Sequence, residues 1–140
     1  MNPKQPGLER RVGQETRRVS NQHRQLNVFY EMLSDALRQG DGGQAREVFR
    51  RLGDALEAHF AMEDEFYFPS LHGLRPDLEA EIAALMDEHQ VFRAELQTLA
   101  RRLEREDGLA EAGRALEAFV GRLASHEARE ERLLEGTRSA

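Results

Sequence analysis

Apolar residues recur along this chain at alternating steps of four and three, the spacing of one face of an α-helix. Four stretches carry the pattern. Val12, Thr16, Val19, His23, Leu26, Tyr30, Leu33 and Leu37 form the first seam, which predicts a helix from about Val12 to Gln39, stopped by Gly40-Asp41-Gly42-Gly43. Ala45, Phe49, Leu52, Leu56, His59, Glu63 and Phe66 form the second. This helix is predicted over about Gln44 to Phe68, because Pro69 cannot continue it. A loop from Pro69 to Pro76 follows, and Asp77 suits the start of the next helix. The third seam is Leu78, Ile82, Leu85, His89, Phe92, Leu96, Leu99 and Leu103, ended by Asp107-Gly108. The fourth is Leu109, Ala112, Leu116, Phe119, Leu123, His126, Glu130 and Leu133. No stretch alternates with the period of a strand. Four helices on short loops predict an all-α fold, an up-down-up-down antiparallel four-helix bundle. It occupies residues 11–140, after a flexible N-terminal arm over residues 1–10.

Composition narrows the function classes. A chain of 140 residues is one domain with a core of its own. It has no Cys, which excludes disulfides, thiolate zinc sites and cysteine-held iron–sulfur clusters. Net charge is −6, and Arg alternates with Glu along the chain, which argues against nucleic acid as a partner. No apolar run approaches the roughly 20 residues that cross a bilayer, and no signal peptide is apparent at Met1–Gly7. The expected setting is the cytoplasm, away from membranes. The sequence is silent on oligomeric state.

The informative residues are polar ones on apolar seams: His23, His59, Glu63, His89, His126 and Glu130. Each predicted helix carries one of the four histidines, and each carboxylate follows a histidine by four residues. The unit His…His-x3-Glu therefore occurs twice, which suggests a repeated helical hairpin. The heights agree as well. His23 and His59 lie equally far from the Gly40–Gly43 turn, and His89 and His126 equally far from Asp107-Gly108. At 1.5 Å per residue each pair sits about 27 Å from its turn, so all six groups can share one layer.

A buried carboxylate without a partner costs several kcal/mol, and a metal ion is one partner that removes the cost. Imidazole and carboxylate together favour iron, manganese or zinc over calcium or magnesium. Two ions with two histidines each, bridged by Glu63 and Glu130, would use every member and leave coordination positions open for small ligands. Off-seam neighbours read differently. Asp64, Glu65 and Glu127 read as solvated, His72 as an exposed loop residue, and Glu131 as less suited than Glu130 to bridge. Phe29, Phe60, Phe66, Phe92 and Phe119 read as core and shell packing.

On these residues the chain resembles the hemerythrin-like (HHE cation-binding) domains. The matching pieces are His23 in Asn21-Gln22-His23-Arg24-Gln25-Leu26, the His59–Pro69 stretch, His89 in Asp87-Glu88-His89, and His126-Glu127-Ala128-Arg129-Glu130-Glu131. The resemblance spans roughly residues 15 to 135. It implies a non-haem di-iron site with two oxo- and carboxylate-bridged ions, held by His23, His59, Glu63, His89, His126 and Glu130, with the two glutamates bridging. The oxygen-carrying members have a fifth histidine on the third helix, one turn from the other. Leu85 and Arg93 stand at the flanking positions here and cannot replace it. Tyr30, seven residues after His23, is a candidate to hydrogen-bond or ligate at the site.

The resemblance implies a protein that binds or senses O2, NO or peroxide, or responds to iron. A di-iron oxidoreductase acting on peroxide or NO is the enzymatic alternative. No acid–base group beyond the ligands and Tyr30 marks a committed catalyst. A metal-free helical module binding another protein is the third reading.

Overall fold

The computed structural model describes residues 6–138. Helix α1 runs over Pro6–Arg38, α2 over Gly42–Met62, α3 over Phe68–Leu74, α4 over Glu79–Leu103 and α5 over Leu109–Arg138. A single π-helical turn, Glu63–Tyr67, joins α2 to α3 without a break. Among the described residues no strand forms. The four rods are α1, α2 with its continuation α3, α4, and α5. α1 packs on α2, α2 on α4, α4 on α5, and α5 back on α1. This is the expected up-down-up-down antiparallel bundle.

The turns follow local chemistry. Gly40 adopts φ +69°, a left-handed conformation that costs an L side chain, and so ends α1. Asp41 then caps α2 by accepting a hydrogen bond from the Gln44 amide at 3.0 Å. At the α4–α5 turn a Cβ on Gly108 would stand 2.7 Å from the Arg102 carbonyl oxygen, so only glycine fits.

Boundaries differ from expectation at three places, the smallest being Asp77, which lies in a 3-10 turn over Pro76–Leu78 and accepts from Arg75 rather than capping α4. α1 begins at Pro6 rather than Val12, so residues 6–10 of the expected arm are helical, while residues 1–5 lie outside the described residues. Proline is well suited to a helix start, and Leu8 continues the apolar seam one turn upstream onto the core. The largest difference is at Pro69, which does not end its helix. The Phe68 amide bonds back five residues to the Glu63 carbonyl, and this widened turn gives the proline ring room that an α-turn lacks. The helix stops instead at Arg75, which precedes Pro76 and is forced to φ −132°, ψ 75°.

The π-turn adds one residue to the register. Phe66, expected on the inner seam, is 60% exposed, and Tyr67 takes its place at 1%. Leu71 and Leu74 then carry the seam onward, and both are buried. The other seams hold almost throughout. The apolar core falls into two clusters. One, around Leu33, Leu52, Leu99 and Leu116, lies toward the Gly40 and Gly108 turns. The other, around Val12, Tyr67, Leu71 and Ile82, lies toward the opposite end. The polar layer lies between them.

Candidate metal centre

All six expected residues come together in that layer, and all are buried. His23 is 7% exposed, His59 3%, His126 and Glu130 1%, and Glu63 and His89 0%. Their donor atoms form two groups that share both carboxylates. One is His23, His59, Glu63 and Glu130; the other is Glu63, His89, His126 and Glu130, with ligand atoms within 4.8 Å of one another in each group. The level pairing predicted from the turns is met, since the rings of His23 and His59, and those of His89 and His126, are each 5.0 Å apart.

Each histidine turns Nδ1 outward and Nε2 inward. Nδ1 of His59 faces Gln22 Oε1 in a short contact, and Nδ1 of His89 donates to Asp64 Oδ1 at 2.8 Å. His126 Nδ1 donates to Glu88 Oε1 at 3.2 Å, and His23 Nδ1 faces Glu131 Oε1 at 3.6 Å. At His59, His89 and His126 the outer oxygen holds the proton on Nδ1 and leaves the Nε2 lone pair aimed into the layer; at His23 the outer oxygen lies beyond hydrogen-bonding distance. There the lone pairs meet carboxylate oxygens. Glu63 Oε1 is 3.2 Å from Nε2 of both His59 and His89, and Glu130 lies 2.6 Å from His126 Nε2 and 3.9 Å from His23 Nε2. Nε2 of His23, His89 and His126 and all four carboxylate oxygens are buried without a hydrogen-bond partner. Lone pairs converging at these distances repel unless a proton or a cation stands between them. Each glutamate reaches one histidine of both groups, which is the placement a bridging carboxylate requires. The residues present therefore fit cations.

Titration of the side chains in the layer follows the same physics. Burial pushes His59 down to about 4 and lowers His23, partly offset in both by Glu130. Burial also lowers His126, but the Glu130 carboxyl beside Nε2 and the Glu88 hydrogen bond at Nδ1 outweigh it, and the net shift is upward. Burial and the adjacent Glu63 carboxyl hold Glu130 well above the usual carboxylate range.

Several residues beyond the six belong to the centre. Gln22, Asp64, Glu88 and Glu131 each sit next to a candidate ligand in sequence, yet each serves a histidine on the neighbouring rod. α1 supports α2, the π-turn supports α4, α4 supports α5, and α5 supports α1. Asp64 also accepts from Arg93 at 3.4 Å, and Glu88 accepts a short hydrogen bond from Arg129. Asp64 is thus not the solvated residue expected. Glu127 is not fully solvated either: burial, reinforced by Glu130, raises its carboxyl to about 7. His72 lies on α3, half-buried, rather than in an exposed loop, and is in neither group. Tyr30 is also outside both. Its buried hydroxyl has no partner, and its ring lines a groove between α1 and α5. Tyr67, overlooked in the sequence, presents a buried unpartnered hydroxyl beside the layer. Burial raises its phenol; nearby Thr16 opposes this, and the charges of Glu130 and Glu63 add to it. An aromatic shell completes the wall: Phe60 stacks on His89 at 4.3 Å, and Phe92 meets His126 edge-on at 5.2 Å.

Fold and layer together define a cation-binding helical bundle with histidine and carboxylate ligands. The chain matches the hemerythrin HHE cation binding domain over residues 15–137, nearly its whole length, and belongs to that family. No curated protein and no solved structure matches it. No helix among the described residues is long and apolar enough to cross a membrane.

Proposed function

We propose that this chain is a non-haem di-iron protein that binds or senses O2, NO or peroxide. The observation that supports it is the pair of four-residue groups sharing Glu63 and Glu130, buried and without other partners. His23 and His59 would hold one ion and His89 and His126 the other, with Glu63 and Glu130 bridging. Imidazole and carboxylate donors suit iron, and also accept manganese or zinc. Two iron ions held there would supply redox electrons and coordination positions for a small ligand. The chain's own residues do the rest. Contacts at Nδ1 orient the rings of His59, His89 and His126, the two glutamates would offset metal charge in a dry core, and Phe60, Phe68 and Phe92 exclude water on the His89 side.

The test is stopped-flow mixing of the ferrous-loaded protein with O2, NO or peroxide. Binding or sensing predicts one spectral change per centre, complete in a single event. Sustained turnover with retained metal would instead make the protein an oxidoreductase. No reaction with any of the three would contradict the small-ligand reading.

A further inference from the structure

The two halves of the layer are built from one repeated unit but supported differently. His89 and His126 each donate from Nδ1 to a carboxylate within hydrogen-bonding distance, Asp64 at 2.8 Å and Glu88 at 3.2 Å. Both carboxylates are held in place by arginine, Arg93 and Arg129. On the other side His59 faces Gln22, a neutral amide. His23 faces Glu131 at 3.6 Å, beyond a good hydrogen bond, and Glu131 is 41% exposed and also accepts from Ser20 at 3.3 Å. An anionic acceptor makes the imidazole a stronger donor to a cation, because it stabilises the charge the ring takes on when it ligates. A neutral or distant acceptor does this less.

Solvent access runs the same way. Phe60, Phe68 and Phe92 lie against the rings of His89 and His126. Among the aromatic rings of the described residues only His59 meets that of His23, Phe60 meets His59 at the longer 6.2 Å, and His23 is the most exposed of the four histidines. Glu63 and Glu130 are common to both groups, so they do not distinguish them.

We infer that the two cation positions are unequal: the His89–His126 position fills first and tightly, and the His23–His59 position binds more weakly and exchanges its ion. This rests on the two-ion reading above. Gln22 is then a positioning residue that contributes to the difference, acting through His59.

The test is a titration of Co(II) into the metal-free full chain, followed by visible absorption and calorimetry. Two steps are expected, the second weaker by about tenfold or more, within the range that such supporting contacts span. His23→Ala should keep the tight step at one ion per chain, and His89→Ala should abolish it. Gln22→Glu should tighten the weak step about tenfold and leave the tight one unchanged. Two equivalent ions, or loss of the tight step in His23→Ala but not in His89→Ala, would overturn the inference while leaving the two-ion reading intact. A wild-type chain that binds fewer than two Co(II) ions would overturn both.

Discussion

A buried carboxylate that finds neither donor nor cation holds a proton instead, and Glu130 shows the consequence. In the metal-free chain its carboxyl is raised from 4.5 to about 7, first by burial and then by Glu63. The folded state therefore binds a proton more tightly than the unfolded state. The stabilisation from this group is complete below about pH 4.5 and is lost as pH rises through about 7. Relative to Glu130→Gln, metal-free wild-type protein should lose about 3 kcal/mol between pH 5 and pH 8. Urea unfolding of both proteins at the two pH values measures it, and a difference that does not change with pH would contradict it. At this scale the six candidate ligands were legible in the sequence. Each is a polar residue where the apolar period demands Leu or Phe. Gln22, Asp64, Glu88 and Glu131 were not legible, because they lie off the seams and act across helices. Their signal was their position beside a candidate ligand, repeated in both hairpins.

At the scale of the element, the π-turn decides which side chains reach the core. Had the α-register continued past Glu63, Phe66 would point inward and Tyr67 outward. The observed exposures of 60% and 1% are the reverse. Phe66→Ala should therefore cost less than about 0.5 kcal/mol, and Tyr67→Ala about 3 kcal/mol or more. Thermal or chemical unfolding of the two variants checks this, and the opposite order would mean that the helix runs on without the added residue. The sequence offered Pro69 as a stop, and a proline within a helix is usually that. A π-turn upstream accommodates the ring, and nothing in the apolar period before it announces the extra residue. The real stop, Arg75-Pro76, carried the same signal about two turns later. The helix order, the Gly40 and Gly108 turns and three of the four seams were legible because periodicity and glycine punctuation are local.

For the molecule as a whole, the ligand layer divides the core in two. Apolar clusters lie on either side, and the layer between them contributes unpartnered polar atoms rather than packing. A cation that binds the folded chain and not the unfolded one turns that cost into stabilisation that grows with the logarithm of its affinity. The bundle is then a scaffold that brings residues from four rods to one level, with the turns setting the heights. Pairing of His23 with His59 and of His89 with His126 was legible from the distances to those turns. The unequal support of the two pairs was not, because it depends on which acceptor each ring meets across a helix boundary.

The measurement that tests this account most directly is iron content per chain after anaerobic reconstitution with ferrous iron, taken with the near-ultraviolet and visible spectrum on oxidation. The account predicts about two irons per chain with oxo-to-iron bands, and loss of the bridged spectrum in Glu63→Ala and Glu130→Ala. A folded wild-type chain that retains no iron, manganese or zinc would contradict it.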